Sequence, residues 1–268
     1  MKLFIKNPYL ITIIIIIIFL GILKLPLDFL LDNFDLTLQQ SNNIDRIIKN
    51  VVIIILSIIV IKKLGITKLA GLNKQFSLQH KYLVAIPLYL VIIGTLTLIG
   101  IDLSNIAIVD AVLLFLAMLS VGFVEEFIFR GILQSIFLKK YLHHRYGIYI
   151  GIFIPALLFG SLHLVNLDMS NIAASVSQVI YAFFIGAAFG AILLKTNKLV
   201  PLAILHGLID IVFSINTLND NDAIPGQLEQ QSIGDAIGSI VFVLPLFIAG
   251  LLIIRKVSKE SIRGKIRL

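Results

Sequence analysis

The chain has 268 residues, 59% hydrophobic and 14% charged, with a mean hydropathy of +1.03 and a formal charge of +7. A soluble domain carries roughly 45–50% apolar and about 25% charged residues, so a soluble fold is excluded. With no Cys in the chain, disulfides, thiolate catalysis and Cys-ligated metals are excluded as well.

Tyr9 to Leu23 is almost wholly apolar, with an unbroken run from Ile13 to Ile18. Lys2 and Lys6 precede it as in a signal peptide, but Gly21-Ile22-Leu23-Lys24-Leu25-Pro26 offers no small-x-small cleavage site. The segment therefore reads as an uncleaved span. Further apolar segments follow at about 46–61, 82–101, 106–138, 148–166, 172–194, 199–217 and 234–254. Their length and lack of alternation exclude strands, and in lipid the backbone must satisfy its own hydrogen bonds, which dictates helices. The expected fold is all-α, a polytopic transmembrane helix bundle of about eight spans. Residues 1–81 would hold two spans and a loop, 82–217 a core, and 218–268 a polar loop, the last span and a basic tail. The segment 106–138 makes about 50 Å of α-helix, more than the ~30 Å hydrocarbon layer. It should tilt, project, or bend into an interfacial helix near Ile136–Tyr141.

Of the 22 basic residues, all but Lys24, Arg46, Lys49 and Arg130 fall in the N-terminus, the loops 62–81, 139–147 and 195–198, and the tail from Arg255. Acidic residues such as Asp28, Asp32, Asp102, Asp168, Asp220, Asp222 and Glu229 favour the alternate loops. By the positive-inside rule both termini are cytoplasmic and the number of spans is even. The charge is thus topological, and no nucleic-acid partner is expected. The Ile/Lys/Asn-rich style suggests an AT-rich bacterial genome, hence a bacterial plasma membrane.

Glu125, Glu126, Arg130, His163, His206 and Asp210 all lie well inside apolar segments. A charge at mid-bilayer costs at least about 2.5–3.5 kcal/mol, so these residues must cluster, pair and face a wet cavity. Glu126 and Arg130 are i,i+4 and can pair; alone they would make a structural ion pair. Glu125 is rotated about 100° from Glu126 and should point elsewhere, free for chemistry. His206 and Asp210 project from one helix at i,i+4, and His163 comes from a third beside Gly160. A carboxylate and two imidazoles from three helices can bind Zn²⁺ with an open position for water. Equally, a Glu–His pair can activate water without metal. His143 and His144, in a basic loop, read as surface or headgroup contacts, His80 has no visible partner, and Gly186 and Gly190 read as close helix packing.

Glu125-Glu126-Phe127-Ile128-Phe129-Arg130 resembles the E-E-x-x-x-R motif of the CPBP family. Phe159-Gly160-Ser161-Leu162-His163 resembles its F-x-x-x-H motif, and His206-Gly207-Leu208-Ile209-Asp210 its H-x-x-x-N or H-x-x-x-D motif. The family groups type II CAAX prenyl endopeptidases with bacteriocin-processing and abortive-infection-type membrane proteins, and the resemblance covers about residues 85–215. It implies an intramembrane endopeptidase in which Glu125 polarises water. His163 and His206 would be metal ligands or proton-transfer partners, and Asp210 a ligand or the residue that orients His206. Glu126 and Arg130 would support the site. A tentative metal set is Glu125, His163 and His206 around a divalent ion, with Zn²⁺ the natural choice, although a metal-free glutamate mechanism is also open. The substrate would be a membrane-associated peptide or protein, such as a bacteriocin, a signalling-peptide precursor or a lipidated tail, held among membrane lipid. Rival readings are a non-catalytic bacteriocin-immunity or scaffold protein, and a proton-coupled carrier. The carrier should show inverted repeats, and none is visible.

Overall fold

The computed structural model describes residues 7–27, 30, 31, 33–72, 83, 85–100, 102, 104, 106–219 and 231–267. Lys2, Lys6, Lys74, Lys81, His80, Asp28, Asp32, Asp220, Asp222, Glu229 and most of the 218–233 loop lie outside the described residues. The described chain is helical, with no strand. Its helices are α1 (Pro8–Leu23), α2 (Leu38–Lys63), α3 (Leu88–Leu96), α4 (Ile108–Glu125), α5 (Ser135–Tyr141), α6 (Gly147–Leu162), α7 (Ile172–Thr196), α8 (Leu199–Ser214), α9 (Ile233–Arg255) and α10 (Lys259–Arg267). The fold is an all-α transmembrane bundle, and the protein is an integral membrane protein.

Among the described residues, five helices are long and apolar enough to cross a bilayer: Ile108–Tyr141, Gly147–Val165, Ile172–Thr196, Leu199–Asn219 and Ile233–Arg255. The remaining expected spans differ. Helix α1 has 16 residues, about 24 Å of α-helix. Helix α2 has 26 residues and starts well before position 46, so Asp45, Arg46 and Lys49 lie inside it and not in a loop. In the 82–101 segment the described helix α3 has only nine residues, about 14 Å, too short to span. A count of eight full spans is not confirmed among the described residues.

Local sequence explains the helix ends. Thr37 with Gln40, and Ser232 with Asp235, form reciprocal capping boxes at the starts of α2 and α9. Asn197 closes α7 at φ 56°, in the left-handed conformation that Asn tolerates as a cap. Basic side chains close other ends by donating to carbonyls. Lys139 Nζ reaches Leu64 O beyond α2 (3.4 Å), Lys195 Nζ reaches Lys256 O beyond α9 (3.3 Å), and Lys265 Nζ reaches Leu194 O near the end of α7 (2.8 Å). Lys259 Nζ binds His144 O at 2.6 Å. Cations complement the negative end of the helix dipole.

These contacts gather the basic loops and α10 at one end of the bundle. At the opposite end Gln40 Nε2 donates to Asp110 Oδ1 (2.8 Å), Gln39 Nε2 to Thr217 O (2.7 Å) and Gln231 N to Asn171 Oδ1 (3.3 Å).

The long segment continues as one helical run to Tyr141, but not as a regular α-helix. Between α4 and α5, residues Glu126–Gln134 are wound as a π-helix, whose i→i+5 bonds widen the turn and shorten the rise. Residues Glu126–Leu138 are all buried. Phe137 packs edge-on against Tyr9 of α1 at 5.5 Å.

Two glycine pairs set the spacing of the core. Gly122 of α4 and Gly207 of α8 let the helices touch backbone to backbone: a Cβ on Gly122 would overlap Gly207 N and lie 2.7 Å from Ala203 O. We expect Gly122→Val to cost about 1–3 kcal/mol through overpacking, measured by heat unfolding in micelles. Gly186 and Gly190 serve a purpose beyond the expected helix packing. A Cβ at Gly186 would sit 3.3 Å from Arg130 Nη2 as well as 3.2 Å from Ala156. Gly190 leaves space for Gln134, whose Nε2 donates to Gly190 O at 3.0 Å. The α7 glycines admit polar side chains from the π segment.

Candidate active site

Glu125 closes α4 and Glu126 opens the π segment. His206 and Asp210 lie one turn apart in α8. His163 begins a short 3₁₀ turn, His163–Asn166, that continues α6. The Gly122–Gly207 contact brings the end of α4 against the middle of α8, which puts the two carboxylates beside the imidazole.

His206 is the hub. Its Nδ1 lies 2.8 Å from Glu126 Oε1, and its Nε2 lies 3.3 Å from Glu125 Oε2 and 3.9 Å from Asp210 Oδ1. Glu125 therefore does not point away from the partner of Glu126; the two carboxylates reach opposite nitrogens of one ring. Glu126 is fully buried, whereas Glu125 and Asp210 keep side-chain exposures of 21% and 26%. One carboxylate is thus a buried support and the other two stay partly exposed.

Arg130 Nη1 stands 3.0 Å from Glu126 Oε1, as the i,i+4 spacing predicts. Its guanidinium carbon also lies 4.5 Å from the centroid of Phe159, within cation–π range. Phe159 and Phe189 both meet His206 edge-on, at 5.9 and 5.6 Å. Phe159 also packs edge-on against His163 at 5.1 Å, so one phenyl ring separates the two imidazoles. His163 Nδ1 donates to Phe159 O at 3.0 Å, which leaves Nε2 with the lone pair in the neutral ring.

The group able to hold a metal is Glu125, His206 and Asp210, whose ligand atoms lie within 4.8 Å of one another. His163 is not in it, and Asp210, expected as an alternative, is. The donor set suits a divalent ion. One imidazole and two carboxylate oxygens match Zn²⁺ preferences, and a buried carboxylate holds the far nitrogen of the ligating imidazole, the usual arrangement at zinc sites. Asp210 Oδ2 is buried without a hydrogen-bond partner.

Two neighbours were invisible in the motifs. Arg46 of α2 is within electrostatic reach of Asp210 and Glu125. Tyr181 of α7 is within electrostatic reach of Asp210. Arg46 had a signal, since it falls in the helical stripe of polar residues Gln39, Asn43, Arg46, Asn50 and Ser57. Tyr181 had none beyond its place in an apolar run. At the Ile108–Leu116 end of α4, α4 and α8 border an apolar groove of about 550 Å³, lined by Ile108, Val112, Phe115, Ile211 and Ile215 among others. His143 and His144 stay exposed at the basic end, as expected.

This geometry, three motifs converging on one buried imidazole, agrees with the comparison to known families. Residues 107–212 match the family described as Type II CAAX prenyl endopeptidase Rce1-like. The matched segment runs from the start of α4 into α8 and contains Glu125, Glu126, Arg130, His163, His206 and Asp210. It bears out the resemblance carried by the three motifs, and the family is one of membrane proteases. No curated protein and no solved structure matches the chain. Helices α1, α2, α3, α9 and α10 lie outside the matched segment.

Proposed function

We propose that the protein is an intramembrane endopeptidase that hydrolyses a peptide bond in a membrane-associated peptide or protein, with a divalent ion, Zn²⁺, at Glu125, His206 and Asp210. The observation that carries this reading is the pairing of His206 Nδ1 with the buried Glu126 while Nε2 faces Glu125 and Asp210. A ring held this way presents Nε2 for coordination. The ion would supply Lewis-acid polarisation of the scissile carbonyl and of water.

The residues divide the remaining work. Glu125 takes the proton from the attacking water as the C–O bond forms. Glu126, fixed by Arg130, keeps His206 in one tautomer. The proton that Glu125 takes from water is handed to the departing amine as the C–N bond breaks, directly or through His163, whose Nδ1–H is committed to Phe159 O and whose Nε2 lone pair can receive it. Bacteriocin or signalling-peptide precursors and lipidated peptides are the substrate classes to test. The basic residues gathered at one end of the bundle favour a cytoplasmic placement of that end and of both termini, in a bacterial plasma membrane.

Purified wild-type protein should contain about one equivalent of Zn²⁺ by elemental analysis and lose activity on treatment with 1,10-phenanthroline, with recovery on adding Zn²⁺. Glu126→Gln should weaken Zn²⁺ binding about 10–100-fold, as loss of a carboxylate behind a ligating His does, measured by competition with a chromogenic chelator. Metal-free protein of full activity would remove the metal from this reading.

A further inference from the structure

The π segment Glu126–Gln134 carries three polar side chains, Glu126, Arg130 and Gln134, spaced four apart in an otherwise apolar run. Each is at most 2% exposed. Residues four apart share a helix face, and on that face each of the three has its own neighbour. Glu126 Oε1 lies 2.8 Å from His206 Nδ1 of α8. Arg130 Nη1 lies 3.0 Å from Glu126 Oε1, and its Nη2 lies against Gly186 of α7. Gln134 Nε2 donates to Gly190 O of α7 at 3.0 Å. The first two side chains are accounted for by their ion pair behind His206, but the third has no part in the mechanism so far.

Burying an amide is costly unless it is hydrogen-bonded, so this one needs a reason. Glu126 opens the π segment and Gln134 closes it. The apolar side chains between them make non-directional contacts, which resist separation better than rotation or sliding. A hydrogen bond is directional, and the Gln134–Gly190 bond ties the far end of the segment to α7. Helix α7 is shaped for that bond: a Cβ on Gly190 would come 2.5 Å from Gln134 Oε1, so a larger residue would displace the amide. The preceding residue, Phe189, is fully buried. It meets His206 edge-on at 5.6 Å and lies 5.9 Å from the guanidinium carbon of Arg130. One turn of α7 therefore touches Gln134, Arg130 and His206 together.

We propose that Gln134 is a positioning residue. By anchoring the end of the π segment to the Gly190 carbonyl, it fixes the winding that brings Glu126 to His206 Nδ1, and so keeps Nε2 turned toward Glu125 and Asp210. The inference rests on the endopeptidase reading and deepens it, because it adds a residue outside the three motifs on which the orientation of the imidazole depends.

The test uses full-length protein in micelles. Gln134→Met keeps the length of the side chain and removes the donor. In metal-free wild-type protein the His206 Nδ1 proton, held by the buried Glu126, should exchange slowly with water. It is read by NMR of protein labelled with ¹⁵N-histidine and assigned by its loss in His206→Gln. In Gln134→Met the same proton should exchange at least tenfold faster. Loss of a group behind a ligating His costs about 10–100-fold in metal affinity or activity. Gln134 acts one step further out, so kcat on a cleaved peptide should fall about tenfold, with KM within threefold. Gly190→Ala, which leaves Gln134 in place and fills its space, should produce both changes. In a Gln134→Ala background Gly190→Ala should add less than a twofold loss, since residues that act through one contact are not additive. Wild-type exchange and kcat in Gln134→Met overturn the inference, as do a shift in unfolding temperature alone, fully additive losses, or a His206 proton that already exchanges fast in wild type. If Gln134→Met is unfolded, Gly190→Ala is judged by the same criteria; if both are unfolded, the amide serves the fold alone and the inference is overturned. Wild-type protein that cleaves no peptide overturns the endopeptidase reading. The exchange measurement needs no turnover, and it then decides by itself whether Gln134 holds Glu126 against His206.

Discussion

Glu125→Gln is expected to reduce peptide cleavage by about 10³-fold, while membrane insertion and unfolding temperature stay at wild-type values. The carboxylate lies 3.3 Å from His206 Nε2 and its side chain is 21% exposed, so it is placed to take a proton from water. An amide of the same shape cannot accept that proton, and loss of a positioned base typically costs 10²–10⁴-fold. Fold is preserved because the structural charge pair belongs to the neighbouring Glu126. The measurement is initial-rate cleavage by protein in micelles, alongside comparative peptidomics of cells making wild-type or Glu125→Gln protein. Wild-type turnover in the Glu125→Gln protein would remove the mechanism; peptides that accumulate only with active protein would identify the substrate.

The largest effect on stability is expected from Arg130→Leu. Arg130 is 1% exposed and Glu126 is fully buried, with Nη1 and Oε1 3.0 Å apart. Removing the guanidinium leaves a carboxylate uncompensated in a low-dielectric core, which costs about 3–5 kcal/mol. It also removes the cation from the Phe159 ring. The double variant Arg130→Leu with Glu126→Gln should recover much of that loss, because no orphaned charge remains. Detergent-titrated unfolding followed by circular dichroism gives the coupling energy directly; additive single and double variants would show that the pair does not stabilise the fold. Activity should fall in Arg130→Leu as well, since Glu126 would no longer be held against His206.

Much of this architecture was legible in the residues. Long apolar segments in a chain with few charges can only be helices in lipid, where strands would leave backbone groups unsatisfied. The charges that interrupt those segments mark the site because bilayer insertion penalises each of them whatever its partner. For that reason Glu125, Glu126, Arg130, His163, His206 and Asp210 stood out together, and the i,i+4 pairing of Glu126 with Arg130 followed from helix geometry. The segment at 82–101 misled for a related reason: apolarity measures compatibility with lipid and not helix length, and α3 stops after nine residues.

Other features were not legible because they depend on how separate helices are rotated and registered. A fixed 100° step per residue separates Glu125 from Glu126, yet an imidazole arriving from α8 offers a nitrogen to each. The Gly122–Gly207 approach brings that ring within reach, and the π winding that begins at Glu126 sets how the second carboxylate meets it. Nothing in the local pattern of residues 126–134 distinguishes i→i+4 from i→i+5 bonding; packing decides it. The same holds for the metal-capable group, in which Asp210 takes the place expected for His163, and for Arg46, which counted as a loop charge until α2 was seen to begin at Leu38. By itself, then, the sequence determined that this is a helical membrane protein with a buried acid–imidazole site, because hydrophobic transfer and charge burial are properties of each residue. Only the tertiary structure decided which carboxylate supports and which stay partly exposed, because a hydrogen bond or ion pair exists only at distances set by several helices at once.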